Sequence, residues 1–178
     1  IADNLSNTRI EVLEAIFRVS GVNPAFENID LSDKTAVKNL CEKYSFDGCI
    51  HFAAFKAVGE SVANPLKYYD NNLSSLTYLL QNFTQKGWSN FIFSSSCTVY
   101  GQADKMPITE DAPIKPAESP YGNTKQMGEE IIVDTVKATS NFAAIALRYF
   151  NPIGAHPTAE LGELPLGVPA NLVPFITQ

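Results

Sequence analysis

Tyr121 and Lys125 stand four residues apart in the string Tyr121-Gly122-Asn123-Thr124-Lys125. On a helix, positions i and i+4 share a face. A Lys ammonium beside a Tyr phenol favours the phenolate and lowers the phenol pKa from its usual value of about 10. A Tyr tuned this way takes a proton from an alcohol while a hydride leaves the same carbon. Alone, the spacing says little: with 7 Tyr in the chain, chance supplies about 0.4 such pairs. The neighbourhood adds weight. Pro120 marks a helix start, and an upstream apolar run ends in Ser94-Ser95-Ser96. A buried strand has little reason to end in three serines unless they line a polar site.

Apolar runs alternate with helical patterns along the chain. Ile1-Ala2-Asp3 reads as the tail of a strand. Ile10, Leu13, Ile16 and Phe17 lie at helical spacing within 9–19, and Gly21 stops that helix. A short strand is expected over 25–29, ending at Asp30. Ser32 or Asp33 caps a second helix with Val37, Leu40 and Cys41 on one face. The unbroken apolar run 49–54 suits a parallel strand buried on both sides. A long helix is expected over 66–86, a buried strand over 91–96, a surface loop over 101–118, a helix over 121–139 and a buried strand over 143–150. The Pro/Gly-rich remainder reads as loop until about Leu172. This order is that of an α/β, doubly wound parallel sheet. Right-handed crossovers then bring Asp3, Asp30, 52–54, 94–96 and 150–151 to one sheet edge, where such sheets bind ligands.

The 178 residues, 45% of them hydrophobic, suffice to bury a core. The net charge is -6 and no Lys/Arg run occurs, which argues against a nucleic-acid partner. An anionic ligand must therefore be held locally, by a helix N-terminus or by single basic residues. Cys41, Cys49 and Cys97 form no metal-type cluster and read as small buried hydrophobes in a reducing, cytoplasmic compartment. No metal-ligand spacing is present, and no run approaches the length of a membrane span. His51, inside an apolar strand, His156, in a Pro/Gly loop, and Trp88 read as structural. The opening strand tail and the apolar end at 172–178 read as the boundaries of an internal fragment of a longer protein.

Tyr-x-x-x-Lys after a hydroxyl-rich strand end resembles the short-chain dehydrogenase/reductase superfamily. Thr98-Val99-Tyr100-Gly101 and Ser119-Pro120-Tyr121-Gly122 are similar to its extended, nucleotide-sugar branch. Three longer strings narrow the resemblance to the UDP-glucose 4-epimerase family: HFAAFKAVGES from His51, YYDNN from Tyr68 and LRYFNPIGAHP from Leu147. The similarity runs from Asp3 to Gln178.

The resemblance implies a Rossmann-type fold and tightly held NAD that serves as a transient oxidant of UDP-glucose and UDP-galactose. It implies Tyr121 as the base at the sugar 4-hydroxyl and Lys125 as holder of the nicotinamide ribose and depressor of the Tyr121 pKa. Ser96 would bond near the 4-hydroxyl. The 4-keto sugar would then turn over and receive hydride on its other face. The position of Asp3 at a strand end suits an adenosine ribose and favours NAD over NADP, and Asn4, Leu5, Ser6 and Asn7 follow it in the cofactor site. Asp30 and Leu31 would flank the adenine, and Phe52, Ala53, Ala54 and Lys56 would underlie the pyrophosphate and nicotinamide. Asn71, Ser94 and Phe150 would complete the cofactor contacts. Ser96, Tyr121, Asn151, Asn171 and Leu172 would face the UDP-sugar. Homodimers through 66–86 and 121–139 are also implied.

Two positions depart from the family pattern. Ala54-Phe55 stands where Gly-Leu is usual, and Cys97 stands where Ala is usual. The glycine-rich phosphate loop would precede Asp3 by about 20 residues. By this reading, residues 1–150 form a partial NAD-binding domain without its first β-α unit. Residues 151–178 begin a substrate region, and the 178 residues alone are inactive and bind NAD weakly. A 4,6-dehydratase of the same superfamily is a rival. It would need acid and base residues directly after the serines, and Cys97-Thr98 supplies no carboxylate. A non-catalytic NAD-binding paralogue is a second rival, and it would be expected to have lost one of Ser96, Tyr121 and Lys125. A longer polypeptide with an added domain, such as a sugar mutarotase, is also compatible with the sequence.

Overall fold

The computed structural model describes residues 1–163, 166 and 172–177. It contains two compact units, one made of Ile1–Ile29 with Asn151–Gln178 and the other of Asp30–Phe150.

In the first unit, β1 (Ala2–Asp3) and β2 (Glu27–Asn28) pair in parallel, with Ala2 opposite Glu27 and Asp3 opposite Asn28. Helix α1 (Val12–Ser20) connects them. It ends where Gly21 adopts a left-handed conformation (φ 71°) and its N–H reaches the Phe17 carbonyl, a backbone geometry that costs glycine little. The Arg18 guanidinium pairs with Glu160 at 2.7 Å, tying α1 to the 156–161 turn.

The second unit holds a parallel sheet of β3 (Gly48–His51), β4 (Asn90–Ser96) and β5 (Ala143–Tyr149), with β4 in the middle. Four helices belong to it: α2 (Lys34–Lys43), α3 (Val58–Ala63), α4 (Pro65–Lys86) and α5 (Pro120–Ala138). Their ends follow from local chemistry. The Asp33 carboxylate accepts from the N–H groups of Thr35 and Ala36, and the Ser119 hydroxyl accepts from Gly122, which satisfies donors a helix start leaves open. Pro65 and Pro120 occupy first turns, where a missing N–H costs nothing. Gly87 closes α4 in the left-handed region. The short helix α3 has no counterpart in the sequence reading, because its six residues carry no apolar period. A short helix α6 (Leu172–Thr177) ends the described chain.

Side chains alternate across a strand, so the sheet has two faces. Phe91 and Phe93 form one core with Val37 and Cys41 of α2, Leu76, Leu79, Leu80 and Phe83 of α4, and Ile132 of α5. The expectation that residues 49–54 are buried on both sides does not hold. The strand ends at His51, and Ile50 and Ile145, on the other face, are 60% and 59% exposed. Within this chain α2, α4 and α5 all pack on the Phe91–Phe93 face.

Gly128 lets α5 approach that face. A Cβ there would lie 2.7 Å from the Phe93 ring and 3.3 Å from Leu76. Because both neighbours are buried, Gly128→Ala is expected to destabilise the fold by about 1–3 kcal/mol, read as a lowered denaturant midpoint. A variant as stable as the parent would show that Phe93 yields without cost.

Candidate active site

The C-terminal end of β4 and the first turns of α5 build the site. Ser96 is the last residue of β4, and its hydroxyl accepts from Thr98 N–H at 3.3 Å, turning the chain into a 3-10 turn at Cys97–Tyr100. Tyr121 lies in the first turn of α5, just after the Ser119 cap and Pro120. Ser96 and Tyr121 thus meet where the end of β4 faces the first turn of α5, and the nearby Ser96 hydroxyl favours the ionised form of the Tyr121 phenol. Lys125, one turn on, is 4% exposed. Its Nζ donates to the Ser94 carbonyl at 2.7 Å and lies 5.8 Å from the Tyr121 ring centroid and 4.9 Å from that of Phe93. The structure therefore brings Ser94, Ser96, Tyr121 and Lys125 together.

Burial dominates the electrostatics of the Tyr121–Lys125 pair. Burial pushes the Tyr121 phenol above its ordinary value, and the nearby Ser96 hydroxyl opposes that rise. Lys125, expected to depress the phenol, is itself pulled down to about 8 by burial. Its Nζ is held at the site by the Ser94 carbonyl. Cys49 is pushed up to about 12, chiefly by burial, and burial also raises Cys41. Both behave as inert core thiols.

Other expected residues of this unit lie around the same strand ends. His51 pairs in register with Phe93, so Phe52 follows at the edge beside Ser94. Tyr149 pairs with Ser96, so Phe150 leaves β5 at that edge. Phe52 and Phe150 are 62% and 55% exposed, and Phe52 stacks on Tyr149 at 6.4 Å between ring centroids. Ala53 and Ala54 are half-buried in the turn after β3, and Lys56 is exposed. The Asp30 carboxylate accepts from the Ser32 N–H and hydroxyl, and Leu31 packs against the core. Asn71 donates to the side chain of Asn72 rather than to the turn.

In the other unit, Asp3 ends β1 and accepts from Leu5 N–H at 2.6 Å, while Asn4 accepts from Ser6. Leu5 takes a positive φ of 55° in this turn, and Asn7 is exposed. Asn151 and Leu172 also belong to that unit and are exposed. Asn171 lies outside the described residues.

Residues 1–168 match the NAD dependent epimerase/dehydratase family. The chain belongs to that family. It is 45% identical to UDP-glucose 4-epimerase of Neisseria meningitidis serogroup A over 100% of its length and 52% of the relative's. It is also 45% identical to UDP-glucose 4-epimerase 2 of Arabidopsis thaliana, over 100% of this chain and 51% of that one. The crystal structure of UDP-glucose 4-epimerase from Bifidobacterium longum in complex with NAD+ and UDP superposes with a TM-score of 0.95 at 41% identity, covering 98% of this chain and 52% of that one. The chain thus spans about half the length of the curated relatives it matches, and its fold is their α/β, Rossmann-type arrangement.

Beyond the family motif, side chains that the sequence reading did not single out support the site. Asn72 accepts from Phe55 N–H at 2.8 Å and donates to the Phe55 carbonyl at 3.0 Å and to Thr124 Oγ1 at 3.1 Å. Thr124 in turn donates to the Tyr121 carbonyl at 2.7 Å. One buried amide thereby joins the turn after β3 to the first turn of α5. The usable signal was its neighbour: Asn71 drew attention within the same YYDNN string. Glu129 also escaped notice, although it follows Lys125 by four residues and so shares its helix face.

His51 is buried between the rings of Phe91 and Phe93, at 6.1 Å from each, and its Nε2 has no hydrogen-bond partner among the described residues. Burial first, and the Lys125 charge second, push it down to about 3. Unfolded His51 takes a proton near pH 6.5 while the folded form stays neutral. Its contribution to stability is therefore full above about 6.5 and is lost at about 1.4 kcal/mol per pH unit as pH falls from there towards the folded value. His51→Leu is expected to flatten the fall in stability between pH 6.5 and 4.5, measured by denaturant titration. A slope equal to the parent's would contradict this.

Proposed function

We propose that the protein carrying this chain interconverts UDP-glucose and UDP-galactose through transient, NAD-dependent oxidation at the sugar C4. The convergence of Ser96 at the end of β4, Tyr121 in the first turn of α5 and the buried Lys125 amine 5.8 Å from the Tyr121 ring centroid carries this reading. The relatives that match the whole chain are named for this reaction, and the solved one from Bifidobacterium longum holds NAD+ and UDP.

The residues present suit such a cofactor. Phe52 and Phe150 offer exposed apolar surface at the strand ends, suited to a nicotinamide ring, and the Lys125 ammonium beside them suits a ribose hydroxyl. Asp3, Asn4, Leu5, Ser6 and Asn7 would take the adenosine ribose end, with Asp30 and Leu31 at the adenine. Ala53, Ala54, Lys56, Asn71 and Ser94 would complete the cofactor contacts. NAD, when bound, supplies the hydride acceptor. Tyr121 takes the 4-hydroxyl proton onto its phenolate oxygen, and Ser96 holds that oxygen and the sugar hydroxyl in line. The same phenol returns the proton once the 4-keto sugar has turned over, so one base serves both directions. Asn151, Asn171 and Leu172 would hold the nucleotide.

In this reading residues 1–150 form the dinucleotide-binding part and 151–178 open the substrate region. Val133 and Val136, 50% and 38% exposed on α5, support a homodimer through residues 66–86 and 121–139. The three free cysteines suit a cytoplasmic setting, and among the described residues no helix is long and apolar enough to cross a membrane.

The test is incubation of the polypeptide carrying these residues with UDP-galactose, followed by NMR of the sugar. UDP-glucose should form without an added reductant. A 4-keto-6-deoxy sugar, or no product from a folded, NAD-loaded protein, would overturn the reading.

A further inference from the structure

Behind Ser96 and Tyr121 lies a second, buried group of polar side chains that the proposed reaction does not use. Ser95, Glu129 and Tyr100 are 3%, 8% and 3% exposed. Ser95 and Arg148 face each other across the β4–β5 ladder, on the face covered by α5. The Ser95 hydroxyl donates to Glu129 Oε1. Arg148 grips the same carboxylate with both arms, Nε to Oε1 at 3.0 Å and Nη2 to Oε2 at 2.7 Å. Its third arm donates to the Tyr100 hydroxyl at 3.1 Å, and the guanidinium lies 4.9 Å from the Tyr100 ring centroid. One carboxylate thus fastens β4, β5 and, through Arg148, the 3-10 turn to α5.

These are the elements that must stay in register for the site. Ser95 adjoins Ser96 on β4. Glu129 lies on α5 eight residues after Tyr121 and four after Lys125, which is one stripe of the helix. Tyr100 ends the turn that Ser96 begins. Paired Arg–carboxylate forks have two parallel bonds and so restrain direction as well as distance. Sliding or rolling α5 against β4 would break the fork and the Ser95 bond together.

We propose that Glu129, held by Ser95 and Arg148, is a positioning residue that fixes α5 against the end of β4 and so sets how Tyr121 approaches Ser96. This inference rests on the reading of Ser96 and Tyr121 as the proton-transfer pair. It predicts a signature that a merely stabilising cluster lacks. The groups facing Tyr121 are Ser96 from β4, Cys97 from the 3-10 turn, Lys125 from its own helix and Tyr68 from α4. Of these, Ser96 is the hydroxyl whose alignment depends on Ser95.

The experiment compares the parent polypeptide with Ser95→Ala, Glu129→Gln and Tyr121→Phe, following kcat, KM for UDP-galactose and the pH dependence of kcat. Ser95→Ala removes one hydroxyl and should fold as the parent does. Its kcat is expected to fall about tenfold with KM within about twofold, and the acid limb of its kcat profile should move to higher pH, because the Ser96 hydroxyl favours the phenolate less. Glu129→Gln should shift the limb in the same direction and by more. Unchanged kcat and an unmoved acid limb in Ser95→Ala would overturn the inference, as would a loss of stability in either variant with the limb in place. A fully active Tyr121→Phe would instead remove the proton-transfer reading itself, and the inference with it.

Discussion

Tyr121→Phe is expected to lower kcat for UDP-galactose conversion by about 10³-fold, within the usual range for losing a positioned general base. The variant deletes the oxygen proposed to receive the sugar proton and leaves the ring. Its fold should survive, because the phenol lies at the end of β4 and outside the packed core of Phe91, Phe93 and Leu76. KM for UDP-galactose should change little if the nucleotide is held as proposed, by Asn151, Asn171 and Leu172. The measurement is a steady-state assay with the thermal midpoint as a control. A kcat within a few-fold of the parent's, in a folded variant, would exclude Tyr121 as the base. On the proposed mechanism the parent should also lose activity as pH falls, because a phenolate base must be deprotonated, and burial raises the phenol above its ordinary value while the nearby Ser96 hydroxyl opposes that rise. Ser96→Ala would then displace that limb towards higher pH.

Glu129→Leu is expected to cost about 3 kcal/mol of folding stability. Removing one partner of a buried pair leaves the other as an uncompensated charge, and such losses run at about 3–5 kcal/mol. The lower end applies because the Arg148 side chain retains 23% exposure against 10% for Glu129. Arg148 would keep only its bond to the Tyr100 hydroxyl, and the Ser95 hydroxyl would lose its acceptor. The double variant Glu129→Leu with Arg148→Met removes both charges and should recover most of the loss, since a well-packed apolar pair replaces a buried ion pair at little cost. Denaturant titration of the two variants decides. A loss below about 1 kcal/mol in Glu129→Leu, or a double variant no better than the single, would show that solvent relieves the pair. Salt should matter little, because buried pairs are weakly screened.

The fold was legible where local rules dominate. Asp33 is a side-chain cap, Gly21 is a left-handed stop and Pro120 opens α5, and each acts through its own backbone neighbours. The elements expected over 66–86, 91–96, 121–139 and 143–150 appear as α4, β4, α5 and β5 with ends shifted by a residue or two. Helix α3 was not legible, because six residues cannot display an apolar stripe. Nor was the burial of each strand face, since Ile50 and Phe91 are equally apolar as letters. Which of them is covered depends on where α2, α4 and α5 come to rest.

The same division holds within the site. By itself the sequence placed Tyr121 and Lys125 on one helix face and three serines at the end of a strand, because helix and strand periods are properties of the local backbone. It also carried the strings that mark the family. What only the tertiary structure decided is what each group touches. Lys125 donates to the Ser94 carbonyl, 31 residues away in sequence, and burial raises the Tyr121 phenol above its ordinary value. Asn72 reaches Thr124 across 52 residues, and Arg148 reaches Tyr100 across 48. A pKa shift or a buried ion pair is set by distance and desolvation, and neither quantity exists until α5 has packed on β4.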